Sequence, residues 1–88
     1  MLLKLGRELI TSGDIAAARL VWERAASSKN ADAAFMLAGT YDPLILRELK
    51  VYGFAGDVAM ARTWYEKAKE LGSTEARRRL EILASMAR

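Results

Sequence analysis

The sequence of 88 residues has no cysteine, no histidine and only one proline. Without cysteine the chain has no disulfide and no thiolate metal ligand, although this does not place the protein inside or outside the cell. Without histidine it lacks the commonest general base and the commonest zinc ligand. The single proline, together with many alanines and leucines, favours helices.

Long apolar runs are also absent. No stretch approaches the roughly 18 apolar residues that a membrane-spanning helix needs. The beginning, Met-Leu-Leu-Lys-Leu-Gly-Arg, is too short and too soon charged for a signal peptide. The net charge of +3 is small, and several basic residues lie four positions from an acidic one, as Arg62 does from Glu66. The length suits one small domain, residues 1–88, which is either complete or a fragment of a longer repeat protein.

Two aspartates and several serines are the candidates for catalysis. Asp14 and Asp57 each follow a glycine at the predicted start of a helix. Capping of the helix explains them better than a pair of catalytic carboxylates does. The serines have no histidine to activate them, and the acids do not form the regularly spaced loop of a cation site. The sequence therefore predicts a non-enzymatic protein without a cofactor or metal.

Residues 56–73 carry the clearest helix signals in the chain. Asp57 is placed to cap the start of the helix, and Gly72 to end it. Apolar residues recur at spacings of three and four, which places them on one face. These residues are Val58, Ala61, Tyr65, Ala68 and Leu71. Because alanines lie on either side of the large ring, a second helix can approach this face closely.

The segment 56–84 repeats the segment 13–41 at a displacement of 43 residues. Gly-Asp, Ala-Arg and Glu-Arg/Lys-Ala recur in one register, and Trp22 corresponds to Tyr65. Chance alignment of two alanine-rich helices would not reproduce all of these matches. A period of about 34–47 residues with two helices per unit is typical of helical-hairpin solenoids, in which neighbouring units cover each other's apolar faces.

The pattern predicts five main helices and one short inserted helix. Asp14, Asn30, Asp57 and Ser73 are predicted caps, and Asp42-Pro43 begins the short helix. The predicted helices are 1–12, 14–28, 31–41, 43–51, 57–71 and 74–87, with a loop at 52–56. Besides the face of 57–71, the residues predicted to point inward are Leu2, Leu5, Leu9, Ile15, Ala18, Trp22, Ala25, Ala34, Leu37, Ala38, Tyr41, Ala76, Leu80, Leu83 and Ala84.

Two sets of residues resemble known helical repeats. The tetratricopeptide pattern is similar to Leu5-Gly6, Leu9, Gly13-Asp14, Ala18, Trp22 and Ala25. The Sel1-like variant, with its Trp-Tyr-x-Lys-Ala block and short Gly turn, is similar to Ala34, Leu37-Ala38, Tyr41, Asp57, Ala61, Trp64-Tyr65, Glu66-Lys67-Ala68 and Gly72. The short junctions from Ala25 to Leu37 and from Ala68 to Leu80 favour the Sel1-like variant. Two departures are Ala38 in place of the usual glycine and the long connection 42–55.

This resemblance implies an all-α, right-handed helical-hairpin solenoid with about two Sel1-like or tetratricopeptide-like repeats. It also implies an adaptor scaffold that holds other proteins, as such proteins often do in bacterial signalling, secretion or envelope processes. The resemblance does not identify the partner.

A partner surface is predicted on the first helices of the units, which line the concave side of a hairpin solenoid. The residues predicted to bind a protein or peptide partner are Leu3, Arg7, Ile10, Asp32, Phe35 and Asp42. In the alternative interpretation Leu3, Ile10 and Phe35 only pack the two helices together. The inserted segment Leu44–Phe54 is a second candidate surface, because long connections in compact domains are often functional.

An alternative function is that of a nucleic-acid-associated helical domain. It would use the cluster Arg77-Arg78-Arg79, which is otherwise interpreted as the solvated outer face of a terminal helix. Nucleic-acid binding would weaken steeply with rising salt concentration. Trp22 and Tyr65 are interpreted as core residues rather than stacking platforms, and Trp64 as either packed or partly exposed.

The predicted helix 1–12 carries apolar residues on more than one face, among them Leu3 and Ile10. Nothing in the sequence is predicted to cover the outer part of that surface. The expectation is either a longer repeat protein or a homodimer through this helix, and a two-fold contact is the simpler arrangement. Changing Leu3 and Ile10 together to Lys would abolish such a dimer.

Overall fold

A computed structural model describes residues 14–48 and 56–86. All regular structure within these two stretches is helical, which confirms the predicted all-α class for them. The helices are α1 (Ile15–Ser27), α2 (Ala31–Gly39), α3 (Pro43–Glu48), α4 (Val58–Glu70) and α5 (Thr74–Met86). The predicted helix 1–12, its proposed dimer contact, the end of the short helix and most of the loop at 52–56 lie outside the described residues.

Three predicted caps are confirmed by side-chain hydrogen bonds. The Asp14 carboxylate accepts from the Ala17 backbone N–H at 3.0 Å at the start of α1. Its counterpart Asp57 accepts from the Met60 N–H at 3.1 Å at the start of α4. Asn30 caps α2 by accepting from the Ala33 N–H at 3.1 Å. Each cap satisfies a backbone amide that the helix itself leaves free.

Two turns end their helices with a residue of positive φ. Gly72 has φ of 109° after α4, as the sequence predicts for a glycine that ends a helix. Lys29 has φ of 61° after α1. The two residues are 43 positions apart, which is the displacement of the predicted repeat, and both have left-handed backbone. A side chain makes that conformation unfavourable, whereas glycine adopts it readily.

The Lys29→Gly variant is therefore expected to be more stable than the parent. Removing the strain of a left-handed lysine gains about 1–2 kcal/mol, and the greater freedom of glycine in the unfolded chain offsets about half of it. Urea unfolding should show a net gain of about 0.5–1 kcal/mol. The reverse change, Gly72→Lys, should cost a similar amount, and equal stability of all three proteins would contradict this account of the turns.

The long helices pack in series. Helix α2 lies against α1 and against α4, and α4 in turn lies against α5. Alanines at the contacts let the backbones approach closely around a few large side chains. The buried core consists of Ala18, Trp22, Ala25, Ala26, Ala33, Ala34, Leu37, Ala38, Ala61, Tyr65, Ala68, Ala76 and Leu83.

Most predicted inward positions of the described residues are confirmed. Trp22 and Tyr65 are 3% and 1% exposed, and Ala61 and Ala68 are fully buried beside the tyrosine ring. The prediction for Ala84 is wrong: it is exposed. It lies one residue beyond Leu83, which already takes the inward position on that turn of α5.

The two ends of the connection between α2 and α4 contact each other. The Asp57 backbone N–H donates to the Tyr41 carbonyl oxygen at 2.8 Å. Next to this bond, Gly56 lies so close to Pro43 that a Cβ on the glycine would be 2.7 Å from the proline Cβ and 2.9 Å from its Cα. The extra length of the connection therefore does not separate the helices that it joins.

A methyl group at position 56 is expected to destabilise the protein. In Gly56→Ala the new Cβ would overlap the proline ring and backbone, which must move apart. Overpacking of this kind costs about 1–3 kcal/mol. Denaturant unfolding of Gly56→Ala measures the loss, and Gly72→Ala is a control in which the added Cβ meets nothing within 4 Å and only backbone strain remains. Parental stability of Gly56→Ala would show that the two segments do not touch.

None of the described helices is both long enough and apolar enough to cross a membrane.

Candidate functional site

The Asp42 side chain is the centre of a buried polar cluster. It is 0% exposed, although a carboxylate is rarely buried unless it is paired. Its Oδ2 accepts a hydrogen bond from the Tyr65 hydroxyl at 2.8 Å and another from the Arg79 guanidinium at 2.6 Å. Residues from three separate parts of the sequence meet in this cluster, which we call the Asp42 cluster.

Local backbone structure positions the carboxylate between α2 and α3. The Asp42 N–H donates to the Ala38 carbonyl at 3.1 Å, which continues the last turn of α2. Its Oδ1 accepts from the Leu44 N–H at 2.9 Å and its carbonyl from the Leu46 N–H at 3.0 Å, so Asp42 also starts α3. The predicted start of a short helix at Asp42-Pro43 is confirmed by these bonds.

The electrostatics of the cluster follow from burial and from the carboxylate. Burial raises the pKa of Tyr65 well above its ordinary value of 10.0, and the hydrogen bond to Asp42 and its charge raise it further. For Arg79, burial alone lowers the pKa, but hydrogen bonds to Asp42 and Tyr65 outweigh this effect and raise it. The cluster thus consists of a neutral phenol, a guanidinium and the carboxylate between them.

Stability is expected to fall in alkali because of Tyr65. Its pKa is raised on folding, so above about pH 10 the unfolded chain releases a proton that the folded protein keeps. The contribution is complete below pH 10 and is lost at about 1.4 kcal/mol per pH unit as the pH rises further. Urea unfolding at several pH values should show this slope of the unfolding free energy. Tyr65→Phe should reduce the slope by the contribution of one proton, about 1.4 kcal/mol per pH unit. An identical slope in both proteins would contradict the burial of the phenol.

The placement of Asp42 corrects part of the predicted partner surface. A carboxylate that is fully buried and bonded to Leu44, Tyr65 and Arg79 cannot contact a partner, so Asp42 does not belong to that surface. The prediction failed because the spacing of α2 alone does not show that α4 and α5 cover its end.

The other predicted partner residues have different placements. Asp32 is exposed on the first turn of α2. Phe35 is half-buried, and its ring centroid lies 5.4 Å from that of Tyr65 with the planes tilted by 55°. Phe35 therefore contributes to packing between α2 and α4. The contact with the predicted helix 1–12 in the alternative interpretation lies outside the described residues. Leu3, Arg7 and Ile10 are outside the described residues. In the inserted segment Leu44 and Ile45 are half-buried and Leu46 is buried.

The three consecutive arginines do not form one exposed cluster. Arg77 and Arg78 are exposed on α5, whereas the Arg79 side chain is 16% exposed and ion-paired with Asp42. The interpretation of all three as a solvated face is thus wrong for Arg79. It lies three residues after the buried Ala76 and four before the buried Leu83, which places it on the inner side of the helix.

A second polar contact, which sequence reasoning missed, joins α1 to the end of α2. The Arg19 Nε donates to the Thr40 hydroxyl at 3.1 Å, and the Arg19 Nη2 donates to the Thr40 carbonyl at 2.6 Å. The guanidinium carbon also lies 3.9 Å from the centre of the Tyr41 ring. A cation at the end of a helix satisfies free carbonyls and complements its dipole. The recurring Ala-Arg pair marked Arg19 in the sequence, but nothing there indicated its partner.

Trp64 is half-buried and packs against the core, and its indole nitrogen is buried without a hydrogen-bond partner among the described residues. The Trp22 nitrogen is buried in the same way. Both rings therefore act as packing groups rather than as exposed stacking platforms. Within residues 14–48 and 56–86, no group of three or more acidic, histidine or cysteine side chains is arranged to hold a metal ion.

Comparison with protein families, curated proteins and solved structures finds no match to this chain.

Proposed function

We propose that this chain is a non-enzymatic scaffold or adaptor module that binds a protein or peptide partner. In this proposal it is a right-handed helical-hairpin solenoid of about two Sel1-like or tetratricopeptide-like units. Such folds present a surface built from successive first helices, and their partners bind along it.

The packing of the helices in series supports the proposal. Each long helix lies mainly against the next one, from α1 to α2, α4 and α5, as stacked hairpins do. Equivalent positions of the 43-residue repeat also have equivalent structural roles. Asp14 and Asp57 both cap helices, and Lys29 and Gly72 both end them with positive φ. The capping role of Asp14 and Asp57 supports a structural rather than a catalytic interpretation of both residues.

The observation that carries the proposal is the accessible strip on α2. This helix contacts α1 and α4, yet Asp32 remains exposed and Phe35, three residues away on the same side, is only half-buried. An acid beside an aromatic suits a partner segment with a basic and an apolar residue. Such contacts combine burial of an aromatic with a charge that selects the partner.

Charge reversal on this strip tests the proposal. The 88-residue chain is immobilised and the proteins that it retains from a lysate are identified and their affinities measured. Asp32→Lys should lower the affinity for the retained partner at least tenfold. Glu66→Lys makes the same charge change on the exposed side of α4 and should leave the affinity unchanged. Equal binding by both variants would show that α2 does not carry the contact.

A nucleic-acid function is distinguished in the same experiment. Duplex DNA should not be retained, because only Arg77 and Arg78 of the arginine cluster are exposed and acids adjoin them along α5. Retention that falls steeply with salt, and that is lost when Arg77 and Arg78 are both changed to Gln, would replace the scaffold proposal with the alternative.

A further inference from the structure

The ends of the segment 44–55 meet at a single point of the fold. Tyr41 precedes this segment and Asp57 follows it, and the Tyr41 carbonyl accepts a hydrogen bond from the Asp57 N–H at 2.8 Å. An ideal Cβ on Gly56 would lie 2.9 Å from the Pro43 Cα, so the two residues are about as close as neighbours in a chain, whose Cα atoms are about 3.8 Å apart. The chain could therefore run from α2 to α4 without the residues between Pro43 and Gly56.

Among the described residues, the main contacts between the long helices lie outside this segment. The Asp42 cluster joins Asp42 to Tyr65 and Arg79, and a second polar contact between described residues joins Arg19 to Thr40. The described part of the segment contributes no residue to the buried core cluster, although Leu46 is itself buried. Unlike the four long helices, α3 makes no extensive contact with another described helix.

From these observations we infer that residues 44–55 are an insertion in the hairpin of α2 and α4, and that the hairpin folds without them. The base of the insertion is formed by the Tyr41–Asp57 hydrogen bond and the contact of Pro43 with Gly56. An insertion attached in this way lets the surface of the protein change in length and sequence while its core stays the same. This inference does not depend on the proposed function.

A deletion variant tests the inference directly. Residues 44–55 are removed and Pro43 is joined to Gly56 through two glycines. The variant should keep a helical circular dichroism spectrum and a single cooperative thermal transition, with a Tm lowered by less than about 10 °C because Leu46 is lost. Asp42→Asn should lower the Tm by a similar amount in the deletion variant and in the parent, since Tyr65 and Arg79 are present in both and the N–H of the first linker glycine can replace that of Leu44.

A pair of insertions provides the matched control. The same four residues, Gly-Gly-Ser-Gly, are placed either after Arg47, inside the proposed insertion, or after Tyr41, inside its base. The first variant should melt within a few degrees of the parent. The second should melt more than about 10 °C lower, because it separates Asp42 from the Tyr41–Asp57 bond.

Two results would overturn the inference. One is a deletion variant that loses its cooperative transition, which would show that Leu46 and its neighbours are required for folding. The other is an equal loss of Tm for the two insertions, which would show that the base has no special role. A deletion variant that melts cooperatively, together with unequal insertions, supports the inference.

Discussion

The Asp42→Ala variant is expected to lose about 3–5 kcal/mol of unfolding free energy. Removing one partner of a buried ion pair leaves the other charge without compensation. Here the Arg79 guanidinium, the Tyr65 hydroxyl and the Leu44 N–H would all lose their acceptor. The loss should lie towards the lower end of this range, because Arg79 is 16% exposed and water can reach part of it. Urea unfolding followed by tryptophan fluorescence measures the effect.

Asp32→Ala is the matched control for this prediction. Asp32 is an acid on α2, but it is exposed and interacts mainly with the dipole at the start of the helix. Its removal should cost no more than about 1 kcal/mol. The Asp42→Asn variant should fall between the two, since the amide can still accept hydrogen bonds but carries no charge. Similar stability of Asp42→Ala and Asp32→Ala would show that the Asp42 cluster does not hold the helices.

Trp22→Ala and Tyr65→Ala are each expected to lose about 3–5 kcal/mol, because both rings are buried in the core. A domain of this size has a total stability of roughly 5–10 kcal/mol, so either variant should be partly unfolded at moderate temperature. Tyr65→Ala should be the more severe, since it also removes the hydroxyl that donates to Asp42. Thermal and urea unfolding with circular dichroism detection measure both.

Leu20→Ala provides the comparison on the surface. Leu20 is on the same helix as Trp22 but is 69% exposed, so its truncation should change stability by no more than about 0.5 kcal/mol. A further comparison, Tyr65→Phe, keeps the ring and removes only the hydroxyl, and should cost about 1.5–3 kcal/mol because the bond is to a charged group. If Trp22→Ala melts within a few degrees of the parent, the assignment of Trp22 and Tyr65 to equivalent core positions is wrong.

The helices of the described residues were largely determined by local sequence. Asp14, Asn30 and Asp57 cap helices because a side chain and backbone amides three residues apart are brought together by the helix itself. The buried faces of α1 and α4 follow from the spacing of Ala18, Trp22, Ala61 and Tyr65 for a similar reason. Such signals need no knowledge of the rest of the chain.

The Asp42 cluster was decided only by the tertiary structure. Asp42 lies 23 residues from Tyr65 and 37 from Arg79, and no local pattern relates positions so far apart. The sequence indicated a helix cap at Asp42, which is confirmed, and a solvated cluster at Arg77–Arg79, which is correct only for the first two arginines. Asp42 and Arg79 are paired in the interior because α5 packs on α4 and excludes water from the end of α2. Once water is excluded, a carboxylate is stable there only with a cation and a hydroxyl beside it.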